Sequence, residues 1–256
     1  MKHRTLTRRQ MLFRGTVAFG GLALGACDRL TNSPSFAEVL RSAEQLTYRA
    51  QRVLVGNNAL AREFSDADLS QTFRSNGTDA PDSEDYRRLA QDQFRDWQLK
   101  IDGLVALPLH LSLAALRVMP TRTQITRHDC VEGWSAIGKW TGVPLASVLK
   151  VARLSPRARF VVFHCADSLE KGEDPYYESI DLIDAFHPQT ILAYELNGRA
   201  LPIANGAPLR LRVERQLGYK HAKYVMRIEV VEHLGAVQGG KGGYWEDRGY
   251  EWYAGI

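Results

Sequence analysis

Arg127-His128-Asp129-Cys130-Val131-Glu132-Gly133-Trp134-Ser135, followed by Gly138-Lys139-Trp140-Thr141-Gly142-Val143-Pro144-Leu145, is the stretch on which the reading of this chain turns. It holds one of only three cysteines, set between charged residues and two tryptophans. The glycines and the proline punctuate the residues after Cys130, which puts that cysteine at or near a loop ahead of a short helix over 145–152. A structural thiol usually has apolar neighbours, whereas a thiol kept as thiolate wants polar or cationic ones such as Arg127 and His128. Residue types alone leave a plain core or loop cysteine and a functional one equally open, because free cysteine is commonly buried and inert.

Outward from that stretch, 123–126 reads as the strand that delivers Cys130. Trp97, Leu99 and Ile101 alternate before an Asp102-Gly103 turn, and 111–117 reads as a short helix stopped by Pro120. Residues 159–165 make another strand, with Phe160, Val162 and His164 on one face and Val161, Phe163 and Cys165 on the other. That alternation weakens a zinc reading of His128, Cys130, His164 and Cys165, since adjacent strand residues point apart and no Cys-x2-Cys clamp exists. Beyond the charged loop 166–175 come Tyr176–Leu182, a helical 183–186, a strand over 191–196 turning at Asn197-Gly198, and a strand over 225–231. Upstream, 65–92 reads as surface loop on the turn chemistry of Asn76-Gly77 and Ala80-Pro81-Asp82-Ser83. Gly56-Asn57-Asn58 enters a short turn ending at Glu63-Phe64. Ser35 and Glu38 have capping-box spacing ahead of a helical stripe of Val39, Leu40, Ala43, Leu46 and Ala50.

A chain of 256 residues, 45% hydrophobic and 24% charged, is globular, either one large domain or two small ones. Its net charge of +4 is concentrated at one end. Residues 1–26 hold Lys2, Arg4, Arg8, Arg9 and Arg14 and no acid, so without them 28 basic residues face 29 acidic ones. Nucleic acid therefore has no global electrostatic support as a partner. Thr7-Arg8-Arg9-Gln10-Met11-Leu12 is similar to a twin-arginine export motif. The short apolar run 15–26 behind it has the layout of a signal-peptide core rather than of a span, the alternative being a basic terminus before a buried helix. Leu24-Gly25-Ala26-Cys27 resembles a lipobox, which predicts a lipid on Cys27 and a protein tethered in the periplasm or at the outer face of the inner membrane. A simple cleaved signal with an incidental cysteine is the other reading. A bridge between Cys130 and Cys165 is the bland use of the remaining thiols, but a chain this long buries a core without staples.

The Cys130 run resembles the cysteine segment of the sulfite oxidase-like molybdopterin enzymes, near the branch of periplasmic protein-methionine-sulfoxide reductases. Two further segments carry the same resemblance. Asn205-Gly206-Ala207-Pro208-Leu209-Arg210-Leu211 is similar to the family's run that holds the pterin phosphate end, which an arginine fork suits. Gly218-Tyr219-Lys220-His221-Ala222-Lys223 is similar to the run that lines the cofactor with backbone amides and a lysine. Without the resemblance, the first of these two reads as a hairpin turn with a solvated arginine.

The resemblance covers roughly 95–235. It implies an α+β fold of the sulfite oxidase type, with mixed β-sheets and flanking helices and without the C-terminal dimerisation β-sandwich, hence a monomer. The implied organisation is a signal over 1–26, an anchor linker and helix over 27–56 and a molybdopterin-binding domain over 57–256. The cofactor is molybdenum with one molybdopterin. Cys130 is implied as metal ligand, a soft thiolate suiting an already sulfur-ligated metal. Asp129 and Glu132 are implied beside it, with Arg127 and Asp167 as further candidates. Asn58, Arg62, Glu63, Asn205, Arg210, His221, Ala222 and Lys223 are implied as cofactor-binding. Cys165, also implied as cofactor-binding, falls where the family has a threonine on a cofactor-contacting strand. The implied chemistry is two-electron oxygen-atom transfer on a sulfoxide, an N-oxide or a sulfite-like substrate, with electrons exchanged through a membrane or soluble cytochrome. The aromatic tail 244–253 either walls the active-site mouth, docks that partner or packs back on the domain. Two other readings remain: a Cys130/His128 thiol hydrolase, for which no oxyanion element is recognisable, and a lipid-anchored binding or electron-relay protein that kept the fold without turnover.

Overall fold

A strand with one covered face alternates, and residues 98–101 do so: Leu99 and Ile101 are fully buried between exposed Gln98 and Lys100. A computed structural model describes residues 34–256 apart from Lys171 and Glu173. The export motif, the lipobox and Cys27 lie outside those described residues. Two compact units are present, one ending at Leu54 and the other running Val55–Ile256. The first holds helix α1 (Pro34–Val55) except for its last residue. It begins one residue before the expected cap, placing Ser35 in the first turn behind a proline suited to that position.

In the second unit the chain order is α2 (Glu84–Gln91), β1 (Gln98–Gly103), β2 (Leu109–Ser112), α3 (Leu113–Arg117), β3 (Arg122–Cys130), β4 (Trp134–Pro144) and α4 (Leu145–Ala152). Next come β5 (Phe160–Cys165), β6 (Tyr177–Asp181), α5 (Leu182–Ala185), β7 (Ile191–Leu196), β8 (Arg199–Ala200), β9 (Arg210–Arg212), β10 (Val225–Val231) and α6 (Tyr244–Asp247). One sheet has the order β2-β1-β10-β5-β6, with β1 parallel to β10 and the other pairs antiparallel. The second has the order β3-β4-β7-β8, with β9 also paired to β7. Helix α4 buries Leu145, Val148, Leu149 and Ala152, the one-face spacing of an amphipathic helix, in the same core as Leu99, Ile101, Val161 and Phe163.

Two expectations are corrected. Residues 134–144 form one long strand rather than punctuated loop. Gly142 lies at the β4/β7 register shift, where a Cβ would stand 2.2 Å from the Leu192 carbonyl oxygen, so the glycine admits a close backbone approach instead of ending the strand. The stretch 65–92 contains α2, capped by the Ser83 hydroxyl accepting from the Tyr86 amide at 3.1 Å. Val162 of β5 is buried like its neighbours, because the middle of its sheet is covered on both faces, while His164 pairs with Glu229 at 2.9 Å.

Candidate active site

Strand β3 reverses the usual pattern: its buried row is polar, running Gln124, Thr126, His128 and Cys130. Such a face is stable only with internal partners. They come from β9 and the residues after it. Arg212 grips Glu214 through two bonds of 2.9 and 2.6 Å, donates to His128 Nδ1 at 2.9 Å and stands 4.4 Å over the Trp140 ring. Because a guanidinium only donates, His128 Nδ1 accepts and the ring proton sits on Nε2. The 3-10 turn Gly218–Lys220 packs against that ring, and a Cβ at Gly218 would lie 2.6 Å from His128 Nε2. His221 lies across from His128 at 5.0 Å between centroids and donates from Nε2 to the Gln216 carbonyl at 3.0 Å, which leaves its Nδ1 bare. Burial first, then mutual repulsion and nearby arginines, holds His128 neutral; burial and the same arginines do so for His221.

Cys130 ends β3 at the rim of a cavity of about 240 Å³, lined also by Asn76, Thr78, Glu132, Asp167, His221 and Lys223. Behind it stand two buried cations. Arg210 donates to the Asn205 carbonyl at 3.1 Å and to Asn76 Oδ1 at 2.9 Å. Lys223 donates to the carbonyls of Asn76 and Ala204, each at 2.7 Å, and to that of Thr78. Burial, then the Arg210 charge, depresses Lys223 to about 7. Burial and the neighbouring Arg212 also pull Arg210 below its usual value, though a guanidinium stays charged at neutral pH. Asp167 accepts from the Thr78 hydroxyl at 2.7 Å, and burial raises its carboxyl. Burial likewise raises the Cys130 thiol, partly offset by a hydrogen bond from the Glu132 backbone.

Five buried polar atoms on or beside this cavity have no partner: His128 Nε2, His221 Nδ1, Asn205 Nδ2, Arg210 Nε and Asp167 Oδ1. Each orphan costs about 1–3 kcal/mol, so three open donors, the open His221 Nδ1 and an open Asp167 oxygen beside two buried cations together describe the cradle of an anionic, many-atomed ligand. A pterin with a phosphate tail fits that donor set.

The structure brings together Cys130, Glu132, His221 and Lys223, with Arg210 and Asn205 joined through the Asn76 loop. Other expected residues lie elsewhere. Asp129 faces away from Cys130 on its strand, bonded to Arg127 at 2.9 Å and to Ser135 at 2.5 Å, and with Arg62 lines a separate hollow. Glu63 is bridged to Thr126 at the edge of β3, its carboxylate taken by Arg122 and Gln189. Asn58 is exposed and does not line the Cys130 cavity. Cys165 is packed in the apolar core, and the Ala222 carbonyl accepts from the Leu211 amide at 2.8 Å; neither residue lines the cavity. Cys130 and Cys165 are both free thiols. Sequence reasoning missed the 76–78 loop, whose Asn-Gly pair signalled only a turn; Trp245 and Tyr250 of the aromatic tail stand on the cavity wall, one of the three places expected for that tail.

The family model of the oxidoreductase molybdopterin binding domain matches residues 87–236. The chain belongs to the sulfite oxidase-like family of molybdopterin oxidoreductases. It is accordingly an α+β oxidoreductase that binds molybdenum with molybdopterin. YedZ1 of Azospira oryzae, assigned by inference as a protein-methionine-sulfoxide reductase subunit, is 35% identical over 99% of this chain and 90% of its own length. The protein-methionine-sulfoxide reductase catalytic subunit MsrP of Gluconobacter oxydans is 38% identical over 54% of this chain and 47% of its own, and that of Xanthomonas campestris pv. campestris is 34% identical over 76% and 58%. The chain thus spans about half the length of the MsrP relatives. Among solved structures, the sulfane dehydrogenase SoxCD of Paracoccus pantotrophus gives a partial likeness, at TM-score 0.49 and 24% identity over 54% of this chain and 39% of that one.

Proposed function

We propose that this protein is the catalytic subunit of a cell-envelope sulfoxide reductase, with protein methionine sulfoxide as its substrate class, working with a separate electron-donating partner. The observation carrying the reading is the position of Cys130, at the rim of a cavity ringed by orphaned polar atoms and two buried cations. The names of the relatives support the substrate class. When bound, molybdopterin with molybdenum supplies the two-electron chemistry of oxygen-atom transfer. The protein's share is placement. Arg210 and Lys223 would hold the anionic tail, Asn205, His128 and His221 would offer the ring system donors and an acceptor, and the Cys130 thiolate would ligate the metal. Reduction of a sulfoxide to thioether and water consumes two electrons and two protons. Asp167, whose carboxyl burial raises, lines the cavity where such a proton would be delivered.

The test is elemental analysis of the purified protein, followed by turnover of a sulfoxide, N-oxide and sulfite panel with a reduced dye for the reductions. Molybdenum with pterin and preferential sulfoxide reduction is expected. A molybdenum-loaded protein that acts on sulfite and reduces no sulfoxide would overturn the reading.

A further inference from the structure

The cavity wall has a second chemistry. Beside its polar residues stand Leu169, Tyr176, Tyr219, Trp245 and Tyr250. The last two lie beyond residue 236, outside the part of the chain that the family domain matches. Their rings stack at 5.2 Å and 30°, and Tyr250 meets the Tyr219 ring edge-on at 5.3 Å.

This wall is fixed from behind. Buried Lys220 bonds both Glu178 of β6 and Glu246 of α6. Asp247 accepts from the Tyr177 hydroxyl at 2.6 Å, and the Tyr219 hydroxyl donates to the Glu251 carbonyl at 2.7 Å. An ion group with no exposure on either side of the contact is costly to break, so α6 cannot swing clear without stranding charge. Half-buried Trp245 thus presents a pre-set aromatic face to the cavity.

We propose that Trp245 and Tyr250 are specificity-determining residues, forming an aromatic wall that receives the apolar substituents of an organic sulfoxide. This rests on the sulfoxide reading above. Aromatic faces and edges attract soft sulfur and apolar groups, and give little to a small hydrated oxyanion such as sulfite. The polar half of the lining is taken by the cofactor in the loaded enzyme, which leaves the aromatic half to meet the substrate.

The experiment compares methyl phenyl sulfoxide with dimethyl sulfoxide in the molybdenum-loaded wild type and in Trp245→Ala, Tyr250→Ala and Trp245→Phe, with a reduced dye as donor. Wild type is expected to favour the aryl substrate. The ratio of the two kcat/KM values should fall about tenfold in each alanine variant, through KM rather than kcat, and return in Trp245→Phe. Inhibition by methyl phenyl sulfone should weaken by the same factor. Where Trp245→Ala does not fold, Tyr250→Ala decides, since that side chain sits at the surface, 42% exposed. A wild type that reduces both sulfoxides, with a ratio the alanine variants leave in place or shift through kcat alone, overturns the wall while the sulfoxide reading stands. A loaded wild type that reduces neither overturns both.

Discussion

Cys130 and Cys165 are both buried strand-end thiols, but their surroundings separate them. Cys130 ends a polar row and opens on the cavity; Cys165 sits among apolar side chains in the main core. Cys130→Ser should therefore keep much of its pterin, held by Asn205, Arg210 and Lys223, while losing turnover and the extra sulfur distance in molybdenum X-ray absorption. Cys165→Ser should stay active at a cost of about 1–3 kcal/mol for a hydroxyl buried in an apolar setting, read from denaturant unfolding. The reverse pattern would mean that the ligand has been assigned to the wrong sulfur. Lys223 gives a prediction in pH. Its folded value of about 7 lies below the ordinary 10.5, so between those values the unfolded chain binds the extra proton. Stability of the cofactor-free protein should then rise with pH across that window, by at most about 1.4 kcal/mol per unit from this group. The difference in unfolding free energy between wild type and Lys223→Met, measured from pH 7 to 9, isolates the slope. A flat difference would show that the ammonium is already well solvated or paired.

Gly218 couples two elements, since the 3-10 turn it opens approaches β3 closely enough that a methyl group would overlap His128. Gly218→Ala should push the imidazole from its place against Arg212, costing about 1–3 kcal/mol as overpacking and lowering pterin content. A variant with wild-type melting temperature and full cofactor would contradict that coupling. The same elements explain what the sequence made legible. Helix α4, β7 and β10 were readable to their ends because an apolar period and flanking turns agreed. β4 was not, because Gly142 signals a break to a local reader, and only the neighbouring β7 backbone reveals its close approach. Helix α2 escaped notice because it buries Tyr86 alone, which leaves no stripe. At the site, the motifs that carry charge through short strands and turns name Cys130, His221 and Lys223, which line one cavity, and Asn205 and Arg210, which join it through the Asn76 contact. The pair Asn57-Asn58 drew attention from Asn76-Gly77, since turn chemistry says nothing of what a turn will touch. Asp129 was misplaced by its adjacency to Cys130, although strand alternation already put the two on opposite faces.

For the molecule as a whole, the expectation to be tested is a lipid anchor on Cys27 that holds it at a membrane. No helix among the described residues is long and apolar enough to cross one. Once residues 1–26 are removed, basic and acidic residues nearly balance, so electrostatic attraction to an anionic lipid surface is weak. We propose that attachment comes from a lipid on Cys27, and hydrophobic anchoring has a signature that charge does not. Each buried methylene contributes about 0.8 kcal/mol and is indifferent to screening, whereas surface ion contacts fade as the Debye length shrinks toward about 3 Å at 1 M salt. Wild-type protein should therefore stay with membranes through a high-salt wash and leave in detergent. Cys27→Ala should appear in the soluble fraction with its molybdenum content unchanged, because the cofactor cradle lies wholly within the unit Val55–Ile256. Arg8→Lys combined with Arg9→Lys should instead hold the protein in the cytoplasm, separating a failure of export from a failure of anchoring. A Cys27→Ala protein that still sediments with membranes in high salt would refute lipidation, and would move the search for the contact to α1 and the domain surface.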